Sequence, residues 1–163
     1  MIVISDATPL RYLILIGQEQ LLPKMFGRVS LPTSVFRELQ ADRTPETVKA
    51  WMANRPKWLE VRQITTDPGP APSSLGEGEW HAIILAQEMK AELLLIDDRE
   101  CRREAKRRAI PVTGTLGILD KAAELGLIDL QVVMEQLGKT NFYLSADAMK
   151  SLLDRHSGHR SKS

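Results

Sequence analysis

The chain has 163 residues, with 22 lysines and arginines against 21 acidic residues, which gives a formal net charge of +1. This is the length of one ordinary domain, which can fold without a disulfide or metal scaffold. The single cysteine, Cys101, excludes an intrachain disulfide and a cysteine-rich zinc site, and it favours a reducing, cytoplasmic location. No apolar run approaches the roughly 18 residues of a membrane span. The charge balance also excludes a protein that holds nucleic acid by bulk positive charge alone.

Short apolar strands alternate with helices in the first part of the chain. The predicted elements are, in order, a strand at residues 1–4, a helix from Thr8, a short helix at 21–27, a strand at 28–32, a helix from Thr33 or Ser34, a helix within 45–59 and a strand at 60–64. Residues 65–74 contain three prolines and one glycine, so this segment is predicted to be a mobile loop.

The same alternation continues in the second part. The predicted elements are a long helix led by residues 75–79 and running through Met89, a strand at 91–96, a basic helix at 99–108, a strand at 110–112, a helix at 115–125 and one or two helices after Asp129. The pattern predicts an α/β fold, a three-layer α/β/α sandwich with a mostly parallel sheet. Residues 1–155 would form one domain, and residues 156–163 a polar, disordered tail.

Acidic residues stand where the predicted strands end. Asp6 follows the first strand, and Asp97 and Asp98 follow the strand at residues 91–96. Glu79 lies in the first turn of the long helix, and Glu38 lies on the helix after the second strand. Because ligands of parallel sheets bind outside the carboxyl ends of the strands, these five acids could converge there. Such oxygen ligands suit Mg²⁺ or Mn²⁺, and without a cation the carboxylates would repel one another.

Each acid also has a structural explanation. An acid near a helix start often only caps the helix or interacts with its dipole, which would account for Asp6, Glu77 and Glu79. Glu38, on an amphipathic helix, would ordinarily be solvated. The pair Asp97-Asp98 is the strongest indication of a site, because it directly follows a buried strand and no capped apolar helix follows closely.

A basic run supplies the local positive charge that the overall balance lacks. Within residues 99–108, four basic side chains share one helix face beside the acidic strand end and suit phosphate binding: Arg99, Arg102, Arg103 and Lys106. The alternative is a solvated face paired with Glu100 and Glu104. Thr115, after the last strand, would contact either phosphate or a neighbouring acid, or would cap a helix.

Five short segments carry a resemblance to a known family. They are residues 4–10 (ISDATPL), 31–39 (LP with VFREL), 75–83 (LGEGE with AI), 94–99 (LLIDDR) and 111–117 (PVTGTLG). Their order and spacing, within residues 2 to about 128, resemble the PIN domains, and more closely the PIN-like branch with GEGE and IDD motifs that includes VapC-type toxins.

The resemblance implies roles for individual residues. Asp6 would be the first metal-binding acid and Glu38 the second, while Glu79 stands where many PIN nucleases have an aspartate. The hydroxyl residue that usually precedes the fourth acid is absent, so either Asp97 or Asp98 would take that place. All five are candidate catalytic residues as well as candidate ligands.

Members of this family act as metal-dependent ribonucleases, so the resemblance implies hydrolysis of RNA phosphodiester bonds with Mg²⁺ or Mn²⁺, and a toxin paired with a small antitoxin protein. The alternative is a catalytically silent PIN-like module that binds nucleic acid or protein. The apolar C-terminal segment at residues 142–144, together with Met149, Leu152 and Leu153, could dock that partner or a second copy of the chain as a homodimer, although core packing also explains it. A phosphatase or phosphotransfer receiver would leave Glu38 and Glu79 unexplained.

Overall fold

The structure, a computed structural model, describes the backbone of residues 1–160 and the side chains as far as Ser157. The chain forms one compact unit at Met1–Thr115 and a second one from Leu116 onward. Among the described helices, none is both long and apolar enough to cross a membrane.

A five-stranded parallel sheet is the centre of the first unit. Its strands are β1 (Val3–Ser5), β2 (Val29–Pro32), β3 (Leu59–Arg62), β4 (Leu93–Leu95) and β5 (Val112–Thr113). Their order in the sheet is β3-β2-β1-β4-β5, and every neighbouring pair is parallel. All residues of β1 and β2 are buried, which explains their apolar character. The predicted parallel sheet is therefore confirmed.

Helices connect these strands. They are α1 (Ala7–Leu15), α2 (Leu21–Phe26), α3 (Thr33–Glu38), α4 (Glu46–Ala53), α5 (Glu77–Met89) and α6 (Arg99–Arg107). The central helix α5 buries seven of its residues, whereas α6 buries only Cys101 and Ala105. This difference explains why α5 is apolar over much of its length, while α6 can carry a dense set of basic residues.

The core of the first unit joins α5 to the centre of the sheet. Ile83 and Leu85 of α5 belong to one buried cluster with Ile4, Leu94 and Ile96 of the β1 and β4 region. Each such side chain stabilises the fold by about 1.5–3 kcal/mol through burial. This packing fixes the start of α5 against the ends of β1 and β4, where the acidic residues lie.

The loop at residues 65–74 is anchored to α5. The backbone N–H groups of Thr65 and Thr66 donate to the carboxylate of Glu88 at 3.0 and 2.7 Å. The indole N–H of Trp80 donates to the carbonyl of Pro68 at 3.1 Å. The first half of this proline-rich segment is thus held by hydrogen bonds, although it was predicted to be mobile.

The second unit contains the rest of α7 (Thr115–Glu124), together with α8 (Leu130–Gly138) and α9 (Ala146–Arg160). Asp120 of α7 accepts hydrogen bonds from Arg155 and His156 of α9, each at 2.6 Å. The prediction of a disordered tail from residue 156 is wrong for residues 156–160, because α9 continues through them. Residues 161–163 of that predicted tail lie outside the described residues.

Candidate active site

The order of the strands creates a crevice at one edge of the sheet. The chain passes from β1 outward through β2 to β3, and then returns to place β4 on the other side of β1. In open parallel sheets, ligands bind outside the carboxyl ends of the strands at such a reversal. Asp6 directly follows β1, its N–H donates to the carbonyl of Leu95 at 2.9 Å, and Asp97 follows Leu95 by two residues. Both acids therefore lie at the reversal point.

Asp6 is buried, with only 3% of its surface exposed. It occupies the N-cap position of α1, yet its side chain makes no capping hydrogen bond, and its Oδ1 has no hydrogen-bond partner among the described residues. Burial raises the pKa of Asp6 from 3.8 to about 7, against the opposing effect of the Ala7 N–H. Three nearby carboxylates add to the rise in this pKa: Glu79, Glu38 and Asp97. Capping therefore does not explain Asp6.

Glu38, the last residue of α3, lies where α3 closely approaches α5. A Cβ atom on Gly78 would lie 3.3 Å from Glu38 Oε1 and 3.3 Å from Val35 Cγ2, so a glycine here permits the close approach. Glu38 is exposed as a whole residue, but desolvation of its carboxyl group raises its pKa. The charge of Arg11 opposes this rise, and the charge of Glu79 adds to it. Glu38 is therefore not a simply solvated helix residue.

Glu79 has both a structural and an electrostatic role. Its Oε1 accepts the N–H of the N-cap residue Gly76 at 2.8 Å, which is the glutamate half of a capping box, since Gly76 has no side chain to supply the other half. Its charge also raises the pKa values of Asp6 and Glu38. The capping explanation is correct for Glu79, and the residue still belongs to the acidic group.

The two adjacent aspartates have different environments. Asp97 is partly buried, and Thr115 donates its N–H and its hydroxyl to the two oxygens of Asp97 at 2.7 and 2.6 Å. A Cβ atom on Gly114 would lie 2.5 Å from Asp97 Oδ1, so only glycine fits there. Asp98 is exposed, and its Oδ1 caps α6 by accepting the N–H of Cys101 at 3.1 Å. The helix that follows this pair is thus capped but basic rather than apolar, and Asp97 is the member that interacts with Asp6.

Thr115 does not contact a nucleic-acid surface. Its surface is fully buried, and both of its donors are engaged with Asp97. The prediction that Thr115 binds nucleic acid is wrong, because neither its hydroxyl nor its N–H faces solvent. The alternative of a contact to a neighbouring acid is the correct one.

Cys101 contributes sulfur to a second grouping beside these acids. Ligand atoms of Glu79, Asp98 and Cys101 all lie within 4.8 Å of one another. Burial raises the pKa of the Cys101 thiol, and the neighbouring acids raise it further. The thiol is therefore protonated at neutral pH, and the donors that remain in this grouping are carboxylate oxygens.

The donor set suits a hard divalent cation. Four carboxylates from four separate parts of the chain interact at the reversal point: Asp6, Glu38, Glu79 and Asp97. All the donors are oxygen atoms, and the buried Oδ1 of Asp6 has no other partner among the described residues. A bound cation would satisfy that oxygen and offset the repulsion between the carboxylates. These residues therefore fit such a cation, with Asp98 beside them as the helix cap.

A basic groove adjoins the acids along α6. Its volume is about 760 Å³, and its lining consists of Asp97 and five basic residues, namely Arg99, Arg102, Arg103, Lys106 and Arg107. Arg103 forms an exposed ion pair with Glu100 at 3.4 Å, and Arg107 pairs at 3.2 Å with Glu104, whose side chain is mostly covered. Among the described residues, Arg99, Arg102 and Lys106 form no ion pair with a glutamate of α6. The alternative of a face paired with Glu100 and Glu104 is thus correct for Arg103, while phosphate binding by the basic run stays a prediction.

Two features of this edge were missed by the sequence reasoning. Ser34 Oγ lies 2.8 Å from His81 Nδ1, across the contact between α3 and α5. Arg11 lies close enough to Glu38 to lower its pKa, and the Nε of Arg11 is buried without a hydrogen-bond partner among the described residues. Ser34 precedes Glu38 by one helical turn, which is the only sequence signal that could have indicated its position.

The fold and the site together define an α/β protein of the three-layer α/β/α class with a candidate divalent-metal centre at the sheet reversal. The chain belongs to the PIN-domain family, since the model of the family DUF3368, described as a PIN domain, matches residues 2–158. The chain is also similar in fold to a PilT N-terminus domain protein from the hyperthermophilic archaeon Sulfolobus solfataricus P2. The TM-score is 0.51 at 14% identity, over 89% of this chain and 100% of the archaeal one. No curated protein matches the chain. PIN domains are generally nucleases that use divalent metal ions.

Proposed function

We propose that this chain is an endoribonuclease that hydrolyses RNA phosphodiester bonds with Mg²⁺ or Mn²⁺. The observation that carries the proposal is the buried Asp6, whose Oδ1 lacks a partner among the described residues and whose pKa is raised by burial and, to a smaller extent, by three further carboxylates. A purely structural carboxylate would be expected to have a hydrogen-bond donor at each buried oxygen. Family membership adds support, because PIN domains are generally nucleases.

In this proposal, some residues of the chain bind the cation and others bind the RNA. Asp6, Glu38, Glu79 and Asp97 would hold the cation, and Thr115 keeps Asp97 oriented through its two hydrogen bonds. The bound cation would polarise the scissile phosphate and activate water. A carboxylate at this edge accepts the proton of the attacking water. The groove along α6 binds phosphates of the RNA on the Asp97 side, because its bases line the same groove as Asp97.

The test is cleavage of labelled single-stranded and hairpin RNA by the purified chain, with single-stranded DNA as a comparison. We expect cleavage with Mn²⁺ or Mg²⁺ and none with EDTA. Asp6→Asn should abolish cleavage and weaken Mn²⁺ binding in calorimetry, while the matched change Asp154→Asn, at an exposed position on α9, should leave both unchanged. A wild-type chain that neither cleaves RNA nor binds Mn²⁺ would defeat the proposal. RNA binding without cleavage would instead indicate the silent binding module.

We further propose that the nuclease is a cytoplasmic toxin controlled by a small antitoxin protein, and that it forms a homodimer. The support is the exposure of large apolar side chains in the second unit, which include Leu125, Val132 and Tyr143. Leu152, which belongs to the same apolar segment as Tyr143, is buried and thus serves packing. Co-expression with a small protein encoded next to the gene should relieve growth arrest if the toxin proposal is correct. Light scattering of the purified chain tests the dimer.

A further inference from the structure

A small recess is lined by residues of α3, which follows β2, and of α5, whereas the basic groove is lined by α6, which follows β4; β2 and β4 lie on opposite sides of β1 in the sheet. The volume of the recess is about 330 Å³, near the lower end of the range for small-molecule sites, and its lining is Ser34, Arg37, Glu38, Glu77 and Gly78. Glu38 lines this recess and Asp97 lines the basic groove, and the charges of both act on Asp6. An RNA strand that crosses Asp6 would therefore meet the basic groove on one side and this recess on the other.

The recess has an ordered polar wall. The hydrogen bond of 2.8 Å between Ser34 and His81 joins α3 to α5 and fixes the position of the serine hydroxyl. Gly78 allows the two helices to approach, since a Cβ there would press on Glu38 and Val35. A wall that is held in place before binding loses little conformational entropy when a ligand enters.

The charges of the recess disfavour a phosphate. With Glu38 held by the cation, the charges that remain in the lining are the carboxylate of Glu77 and the guanidinium of Arg37, which balance and leave no excess positive charge for a phosphate. The basic groove instead has five bases and one acid. A neutral group with both donors and acceptors suits the recess better, and an unstacked RNA base is such a group.

We propose that this recess binds one RNA base next to the scissile phosphate and selects guanine, an inference that rests on the proposed ribonuclease function. Guanine offers O6 and N7 as acceptors for the guanidinium of Arg37, and N–H donors for the carboxylate of Glu77. Adenine lacks the acceptor at O6, and the pyrimidines lack N7. Arg37 and Glu77 are thus specificity-determining residues, and the Ser34–His81 pair positions the wall against which the base lies.

The first experiment maps cleavage sites by sequencing the products of a random-sequence RNA pool in Mn²⁺. We expect the wild-type chain to cut next to guanine about tenfold or more above the other bases, as is typical of paired contacts to a base edge. Arg37→Ala and Glu77→Gln should each reduce this preference, while the Mn²⁺ affinity in calorimetry stays unchanged. The matched control is Arg28→Ala, an arginine at the opposite, amino end of β2, which should keep the preference. Cleavage without base preference, or a preference that survives both variants, would overturn the proposal.

The second experiment separates the recess from the nuclease activity. Fluorescence anisotropy in EDTA compares binding of an oligouridine that carries one central guanine with one that carries a central adenine. The wild-type chain should bind the guanine oligomer more tightly, and Arg37→Ala should remove the difference. Equal binding of both oligomers would refute guanine selection by the recess, even if the chain cleaves RNA. If the chain prefers guanine but neither cleaves RNA nor binds Mn²⁺, the proposal of a guanine-binding recess stands and the proposal of a nuclease is refuted.

Discussion

In the metal-free protein, Asp6→Asn should stabilise the fold at pH 8 and leave it nearly unchanged at pH 5. Asp6 is 3% exposed as a residue, and the pKa of its carboxyl group rises from 3.8 to about 7 on folding, mainly through burial. The asparagine side chain has nearly the same shape and carries no charge at either pH. The substitution therefore removes the cost of a buried negative charge.

The raised pKa of Asp6 determines how the stability of the wild-type protein changes with pH. The folded state binds the Asp6 proton more tightly than the unfolded state does, so the contribution of this group to stability is complete below about pH 4 and falls as the pH rises to about 7. At about 1.4 kcal/mol for each pH unit, the whole loss is about 4 kcal/mol, of which about 2–3 kcal/mol falls between pH 5 and pH 8. An unsatisfied amide group in the variant costs about 1–3 kcal/mol, but equally at both pH values.

Urea unfolding in EDTA at pH 5 and pH 8 measures the effect. The difference in the free energy of unfolding, Asp6→Asn minus wild type, should be about 2–3 kcal/mol larger at pH 8 than at pH 5, which means that the variant is relatively more stable at pH 8. Asp42→Asn, at an exposed position after α3, serves as the control for the general effect of removing a carboxylate. A relative stability that is the same at both pH values would refute the buried-charge argument. Unfolding of the variant at both pH values would show that the ionised carboxylate of Asp6 stabilises the fold, and would also refute the buried-charge argument.

Three further predictions concern the neighbours of Asp6. Asp97→Asn should abolish RNA cleavage, whereas Asp98→Ala should retain cleavage in the same assay and lower the free energy of unfolding by about 1 kcal/mol, the usual cost of a lost N-cap. Lys106→Ala should reduce the slope of log affinity against log salt by about one in RNA binding titrations, while Lys139→Ala, exposed beyond α8, should not change it. Thr115→Val removes a hydrogen bond that lowers the pKa of Asp97, so the acidic limb of the pH–rate profile should move to higher pH; an unmoved limb would contradict the positioning role.

The strands and the helices could largely be predicted from the sequence. The apolar runs before Asp6 and before Asp97 are short, contain β-branched residues or leucines and end abruptly at polar residues, and they form β1 and β4. The sheet edge could also be anticipated, because acids that follow parallel strands meet at the carboxyl ends. Strands and helices could be predicted because their positions depend on which residues are buried, and the spacing of apolar residues along the sequence indicates this directly.

The difference between Asp97 and Asp98 could not be predicted. The two residues are adjacent and chemically identical, and their roles depend on where α6 starts and on the position of Thr115, 18 residues later. The contact between Ser34 and His81 joins residues 47 positions apart, and neither residue type carries a signal for it. Such pairings are set by the packing of α3 against α5, which a single sequence does not encode in any local pattern.

The length of α9 was also missed, for an electrostatic reason. The residues after Leu153 are polar, and polarity alone suggests a frayed end. In the structure, Asp120 holds both Arg155 and His156, so the polar residues themselves extend the helix. Asp120, on another helix, thus orders a polar segment whose composition is typical of disorder.

The distribution of donors around the acids distinguishes a binding site from a structural cluster. Asp97 receives two hydrogen bonds from Thr115, and Glu79 receives one from Gly76, so these carboxylates are oriented. Asp6 lies deeper, yet its Oδ1 has no donor among the described residues. A fold selected for stability alone would supply a donor there or replace the acid, because the charge costs free energy at neutral pH. The near-neutral total charge thus conceals a separation, with acids gathered at the sheet reversal and bases concentrated along α6. This is the separation that a cation and an RNA backbone would together neutralise.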